Sequence, residues 1–504
     1  MNMAPPNWIP CKSQVDRLWQ KYQSRLGPHT FARHALTISS GIAFAQAIQV
    51  LVTPIITRIY SPAEFGTAAA IGSAAGILTV FSTLRFENAI PLAHTRKEAH
   101  RLATLSNLFA IITSILVTLF LLTAPPTALR WCGLPTKNPW LLWSLPLLVF
   151  AGGIQFVTGQ LGTAAKAYKA IGLANATQAT FSTVFKVLVG LWTPTATVII
   201  IGELFRRTIG ISLTARAANY NLARFFGQLR LKPLLATMRR HRRYPLFSLP
   251  AAVLYNISLQ APILVLSATY SQAVSGLFAV AMSCVQAPAT LISSGVANAF
   301  SARLREREKQ GTLVPFVTSF IRGMAVVGAP WFAICMAWGP ELIGAVFSAK
   351  WRDSGVYLAI LTPWLFISFT NPGTVLLNLR NKQSRDLPWH VAFVVIRLGG
   401  LYVVSRYLGP LYAITFFAAA SFLLLGAYSY WLLRTVYVPI RPTLLFSIQE
   451  LAAYALPSVL LAAAARLCHC TGLRLVIPVI ILTAAIAVYR IARFFAHATT
   501  TTHR

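Results

Sequence analysis

Glu203 stands three and four residues before Arg206 and Arg207, a spacing that puts all three on one face of a helix. One carboxylate beside two guanidinium groups is either a local charge pairing or a titrating site that couples to a proton or a sodium ion. Lys186, Arg322 and Arg397 also fall within long apolar runs. A charge at membrane depth costs at least ~2.5–3.5 kcal/mol on insertion scales, so each needs a partner or water. Five cations against one clear carboxylate cannot all be paired internally. The imbalance points to a hydrated cavity of positive potential, and arginine's planar donor fork suits a phosphate or pyrophosphate. Lys186, Arg322 and Arg397 each line that cavity, snorkel, or bridge helices. Arg85 and Glu87 sit at the end of the second apolar run. The amides Gln46, Gln49, Asn256 and Gln260 recur on the first run of each half of the chain. They serve either to bind sugar hydroxyls or to hold helices together, the commoner use.

Other chemistry is missing its residues. There is no GxxxxGK[ST] loop and hence no intrinsic ATPase. The three aspartates, Asp16, Asp353 and Asp386, are isolated, so no DxD cluster holds a metal-bound sugar nucleotide. Cys468 and Cys470 flank His469, but no second ligand group completes a four-ligand metal site. The expectation is a protein that is not an enzyme and has no cofactor and no metal. The patch Trp351, Arg352, Asp353 reads as a helix-end anchor.

The elements that position these charges must be membrane helices. The chain is 56% hydrophobic and only 11% charged, where a soluble domain carries about a quarter charged residues. Forty-four Lys plus Arg against eleven Asp plus Glu give a net charge of +33. In a soluble protein that would suggest nucleic acid; here the surface is mostly lipid-facing, and no nucleic-acid partner is expected. A spanning helix needs ~20 apolar residues. About fourteen such runs occur, roughly 36–57, 65–86, 102–124, 141–163, 173–192, 195–215, 246–268, 275–297, 315–338, 356–378, 389–406, 410–433, 450–466 and 474–494. No barrel-length alternation appears, so the fold class is an all-α polytopic membrane protein.

Basic residues orient the bundle. With the N-terminus inside, thirty-one fall in inside segments and eight in outside loops, which favours both termini in the cytoplasm. The cluster Arg239, Arg240, His241, Arg242, Arg243 ends the longest inside loop. It fixes topology, or it also gathers anionic lipid head groups. Residues 1–35 form a basic N-terminal segment, read as an interfacial helix or a disordered tail.

The second half repeats the first. A shift of 210 positions lays YSPAEFGTAAAIGSAAGILTVFSTLRFENAI (60–90) over YSQAVSGLFAVAMSCVQAPATLISSGVANAF (270–300) without a gap. An offset of six spans keeps both copies in one orientation, which is a parallel repeat about an axis along the membrane normal. The organisation expected is an N-lobe of six helices (36–215), a basic inter-lobe loop (216–245), a C-lobe of six helices (246–433), and two C-terminal helices with a tail (434–504).

These residues resemble a family. TPIITRIYSPAEFGTAAAIGSAAGILTVFSTLRFENAIPLA (53–93) is similar to the first helical hairpin of bacterial polysaccharide flippases, the oligosaccharide transporters of the multidrug/oligosaccharidyl-lipid/polysaccharide exporter superfamily. RRYPLFSLPAAVLYNISLQAPILVLSATYS (242–271) resembles the start of the family's seventh helix, and GPELIGAVFSAKWRDSGVYLAIL (339–361) its ninth-to-tenth helix loop. The resemblance implies a multi-pass translocase of the bacterial inner membrane that moves an undecaprenyl-pyrophosphate-linked oligosaccharide to the periplasmic leaflet by alternating access, for O-antigen, capsule or exopolysaccharide synthesis. Its partners would be the lipid-linked substrate, membrane lipids and a glycan polymerase or assembly complex. Alternatives are a multidrug exporter on the same fold, a membrane glycan polymerase or glycosyltransferase, and a scaffold of an envelope complex.

Overall fold

The computed structural model describes residues 28–131, 133–134, 139–220, 231–371, 373, 376, 387–467 and 473–501. The expectations for residues 1–27, for Asp386 and for Cys468, His469 and Cys470 lie outside these. The described residues of the expected runs fall mainly on helices, without confirming a count of fourteen spans. We label them α1 (Pro28–Ile59), α2 (Pro62–Ser82), α3 (Arg96–Thr123), α4 (Pro139–Ala164), α5 (Tyr168–Gly190), α6 (Ala196–Ala217) and α7 (Tyr244–Thr269). The second set is α8 (Gln272–Lys309), α9 (Leu313–Phe347), α10 (Arg352–Thr370), α11 (Leu387–Tyr407), α12 (Pro410–Thr435), α13 (Ile440–Leu467) and α14 (Leu473–Thr501). Among the described residues, eight of these are long and apolar enough to cross a membrane by length and composition alone. Two shorter apolar helical stretches, Ala43–Ile59 and Gln272–Cys284, add to them. α6 falls short on composition because it carries Glu203, Arg206 and Arg207.

The helix pairings are those of two related lobes. α3 packs on α4, α4 on α2 and α6, and α1 on α5; α9 packs on α10, α10 on α8 and α12, and α7 on α11. Between lobes, α2 lies along α8, its own counterpart in the repeat. The contacts α2–α7 and α8–α1 exchange under the same relation. Local chemistry repeats as well. Ser61 caps α2 through the Glu64 N–H and Ser271 caps α8 through the Val274 N–H, both at 3.3 Å. A serine hydroxyl there satisfies one of the orphan donors of the first turn. α13 and α14 dock on α9. At that contact Arg466 of α13 grips Glu341 at 2.8 and 2.9 Å and donates to the Ala337 carbonyl at 2.8 Å. Trp338, next to that carbonyl, is non-helical, and Pro340 removes a helical N–H nearby.

The end of the bundle with the charge-poor loops is closed by contacts between the lobes. Gly66 and Gly276 let α2 and α8 cross with their backbones touching. Beside them Trp351 Nε1 donates to the Thr57 carbonyl at 2.7 Å and Lys350 Nζ to the Arg58 carbonyl at 2.9 Å. Trp351 stands at a helix end, directly before α10, where the sequence expects an anchor. It is fully buried, edge-on to Phe65 at 5.7 Å, and acts as an inter-lobe latch, because its indole finds a backbone acceptor on the facing lobe.

At the end with the basic loops, the short helix Leu231–Arg240 packs against α3. Glu98 holds it there through Arg240 at 3.4 Å and His241 at 3.2 Å.

Candidate functional site

A cavity of about 340 Å³ lies between the lobes. Its wall is built by α2, α4, α5 and α6 of the N-lobe and α7 and α8 of the C-lobe. The polar lining consists of Lys186, Glu203, Gln260, Ser73 and Ser283. The rest is small or apolar, including Phe65, Leu148 and Phe278.

Helix geometry places the charges. Lys186 is near the end of α5, where Tyr60 donates to its carbonyl at 2.7 Å. Its stem lies across Gly202 of α6, at 2.8 Å from where a Cβ would stand. A side chain at that position would push Lys186 off the wall. Glu203 follows immediately. Arg206 closes a two-pronged fork on it, Nε to Oε2 at 2.7 Å and Nη2 to Oε1 at 2.5 Å. Arg207 adds Nε to Oε1 at 3.2 Å and reaches back with Nη1 to the Leu148 carbonyl at 3.0 Å. The lining itself carries one cation, Lys186, and one carboxylate, Glu203, while Arg206 and Arg207 bind that carboxylate from outside the lining.

The remaining sequence candidates are dispersed. Gln260 reaches the cavity, leaning towards Gly76 of α2. Asn256, one turn earlier, bonds its own helix at the Ala252 carbonyl, 2.9 Å away. Gln46 is half-buried on α1. Arg322 of α9 lies over the Phe446 ring of α13 at 5.1 Å, outside the cavity lining. Arg397 is enclosed in the C-lobe, with Nη1 donating to Ser258 at 3.2 Å.

Arg85 and Glu87 form a turn at the end of α2 with the basic loops. Leu84 and Arg85 are both left-handed, with φ of 46° and 64°. That twist aims Arg85 at Glu87, 3.6 Å away. Glu87 is 2% exposed between Phe86 and the Ala89–Ile90 pair of the N-lobe core. Burial pushes its carboxyl up from the usual range, against the pull of Arg85. Burial likewise pushes the Tyr60 phenol up to about 12.

Sequence reasoning missed Ser73 and Ser283. They are each other's counterparts in the 210-residue register, and that register was the signal available for finding them. Among the described residues no group of three His, Cys, Asp or Glu gathers to hold a metal.

Residues 55–355 match the family model described as "Polysaccharide biosynthesis protein". The chain belongs to this polysaccharide biosynthesis protein family. The matched stretch runs from the end of α1 to the start of α10 and so contains every wall of the cavity. The fold is similar to that of "Lipid II flippase MurJ, inward closed conformation", with a TM-score of 0.66 at 12% identity over 93% of this chain and 100% of that one. It is also similar to a multidrug resistance MATE family transporter of the MOP superfamily in an inward-facing conformation, with a TM-score of 0.54 at 15% identity over 81% and 98%. No curated protein sequence matches. At these identities the likeness is one of fold alone, a multi-pass helical bundle.

Proposed function

We propose that this member of the polysaccharide biosynthesis protein family flips a lipid-linked oligosaccharide, bearing an anionic phosphate or pyrophosphate, across the membrane. The single observation that carries the reading is the Lys186 ammonium on the inter-lobe cavity wall, beside a carboxylate whose charge two arginines offset. Lys186 and Glu203 line the cavity, and the Glu203 oxygens are held by Arg206 and Arg207 from outside the lining, so the four-residue cluster carries a net positive charge. The surplus suits an anionic head group, since guanidinium and ammonium donors strengthen in a low-dielectric site. Ser73, Ser283 and Gln260 supply neutral donors and acceptors suited to sugar hydroxyls.

The cargo in this reading is an undecaprenyl-pyrophosphate-linked glycan for O-antigen, capsule or exopolysaccharide synthesis. It moves from the cytoplasmic to the periplasmic leaflet of a bacterial inner membrane, with both termini cytoplasmic and the Gly66–Gly276 crossing on the periplasmic side. Alternating access separates the α2–α8 crossing and uses a proton or sodium gradient. A glycan polymerase receives the product. The fold likeness to a multidrug transporter supports a second reading, export of cationic drugs, but Lys186 on the wall and the two arginines that offset Glu203 oppose that cargo.

The test is transbilayer assay of a short lipid-linked oligosaccharide in proteoliposomes containing the full chain. The proposal expects label to become accessible on the far leaflet only with protein present. Absence of flipping combined with efflux of cationic dye would replace it with the exporter reading.

A further inference from the structure

The linker helix Leu231–Arg240 lies on α3 by one face. Leu234 and Thr237 are buried there, and Arg240 and His241 after them hold Glu98 at 3.4 and 3.2 Å. The other face is exposed and runs through Lys232, Leu235 and Arg239 at helical spacing. It continues into Arg242 and Arg243, which are also exposed. The guanidinium groups of Arg239, Arg242 and Arg243 form no ion pair among the described residues. The carboxylates of the neighbouring segments are spent or covered: Glu98 serves Arg240 and His241, and Glu87 is buried.

Beside these cations stands an apolar patch. The turn Phe86–Leu92, which follows α2, packs against Tyr244–Ser248, the first residues of α7. Leu92, Leu246 and Phe247 are 71%, 61% and 74% exposed. Exposed apolar side chains grouped beside polar ones mark an interaction surface. Depth says which kind. α7 has 26 residues, which at 1.5 Å each make a rod of ~39 Å, against ~30 Å of hydrocarbon. Its first turn therefore reaches the head-group layer, with Arg242 and Arg243 just before it and Leu246 and Phe247 just inside.

We propose that this surface binds anionic glycerophospholipids of the leaflet it faces. The phosphodiesters sit on Arg239, Arg242 and Arg243, and the acyl chains lie against Leu246, Phe247 and Leu92. Arginine's planar fork matches phosphate oxygens, and cations beside a bilayer attract anionic head groups. An acidic protein segment would pair with the arginines but would have no use for an apolar patch at acyl depth. The linker helix joins the lobes: Glu98 ties it to α3, and the chain runs from it directly into α7. Bound lipid would thus hold both lobes at this end of the bundle. None of these residues lines the inter-lobe cavity, so the lipid is bound whatever cargo the cavity carries.

The experiment uses the purified full-length protein in detergent, incubated with equal amounts of phosphatidylglycerol and phosphatidylcholine and read by native mass spectrometry. Phosphatidylglycerol is expected to be retained severalfold over phosphatidylcholine. The triple variant Arg239→Gln, Arg242→Gln, Arg243→Gln should lose that preference. Removing three exposed cations elsewhere, by Arg303→Gln, Arg434→Gln and Arg441→Gln, should keep it. Leu246→Gln with Phe247→Gln should lower phosphatidylglycerol retention. Equal retention of the two lipids by wild type, or equal loss in the two triple variants, overturns the proposal. Retention that ignores Leu246 and Phe247 and is competed away by a poly-glutamate peptide also overturns it, and assigns the surface to an acidic protein segment. Retention competed away by inorganic phosphate at equal ionic strength overturns it in favour of a free anion. Should the first triple variant fail to fold, its three single variants decide. Each is expected to lose part of the preference, and three singles that all keep it in full remove the site.

Discussion

Gly66 and Gly276 are the same residue of the repeat, 210 positions apart, and they meet where α2 crosses α8. A Cβ on Gly66 would overlap the Gln272 carbonyl, and one on Gly276 would overlap the Pro62 carbonyl, itself the counterpart of Gln272. The pseudo-twofold axis passes between them, so one glycine pair sets the closest approach of the lobes. Gly66→Val or Gly276→Val is expected to force the charge-poor end open, because the obstructing atoms are backbone and cannot rotate away. Spin labels on the α1–α2 turn and near Lys350 should move apart, and flipping should fall at least about tenfold, equivalent to about 1.4 kcal/mol. Unchanged distances would mean that the crossing yields elsewhere.

Lys186 is the cation whose stem lies over Gly202 at the cavity wall. Lys186→Gln should cut transport about tenfold or more while leaving the unfolding midpoint nearly unchanged, and Lys186→Arg should retain much of the activity. Equal activity of all three forms would remove Lys186 from the cargo site.

Glu203 joins the wall charges. Replacing it with Gln leaves Arg206 and Arg207 facing each other with a neutral acceptor. Breaking a buried ion pair costs ~3–5 kcal/mol. Here Glu203 and Arg206 are about a quarter exposed, so the expected loss is smaller, about 1–3 kcal/mol. A double-mutant cycle with Arg206→Gln checks it, since the second change should recover part of the loss.

Glu87 makes a pH-dependent contribution. Its carboxyl titrates above the usual range because it is buried, so the folded state favours the protonated form. The charged form therefore costs stability as pH rises from the unfolded value upwards. Glu87→Gln is expected to be more stable than wild type at neutral pH, with the gain vanishing below about pH 4, where wild type is protonated in both states. Midpoints across that range measure it.

Tyr60 has the opposite relevance to physiological pH. Its phenol donates to the Lys186 carbonyl and is pushed up to about 12. The stability it contributes is fully present below about pH 10 and is lost as pH rises through about 12. Tyr60→Phe should cost ~0.5–1.5 kcal/mol at neutral pH and flatten that alkaline loss.

The helices were legible in the sequence because lipid imposes an apolar run of fixed length on each span, whatever surrounds it. The repeat was legible because duplicated backbones need the same caps and the same small residues: Ser61 and Ser271, Gly66 and Gly276. The pairing of Glu203 with Arg206 and Arg207 was legible because it lies within one helix. The destinations of the isolated charges were not. Lys186, Arg322 and Arg397 look alike in sequence, each a single cation in an apolar run. Only the packing of α5 on α6, α9 on α13, and α11 on α7, α10 and α12 sends the first to the cavity, the second over Phe446 and the third into a ring of aromatics. Trp351 shows the same divide. Its position marks it as a helix-end anchor, and only the approach of the Thr57 carbonyl from the other lobe adds the inter-lobe latch. Hydrophobic length acts residue by residue along one chain segment, so sequence alone determined it. The fate of each charge depends on which partner helix arrives, and that was decided only in the tertiary structure.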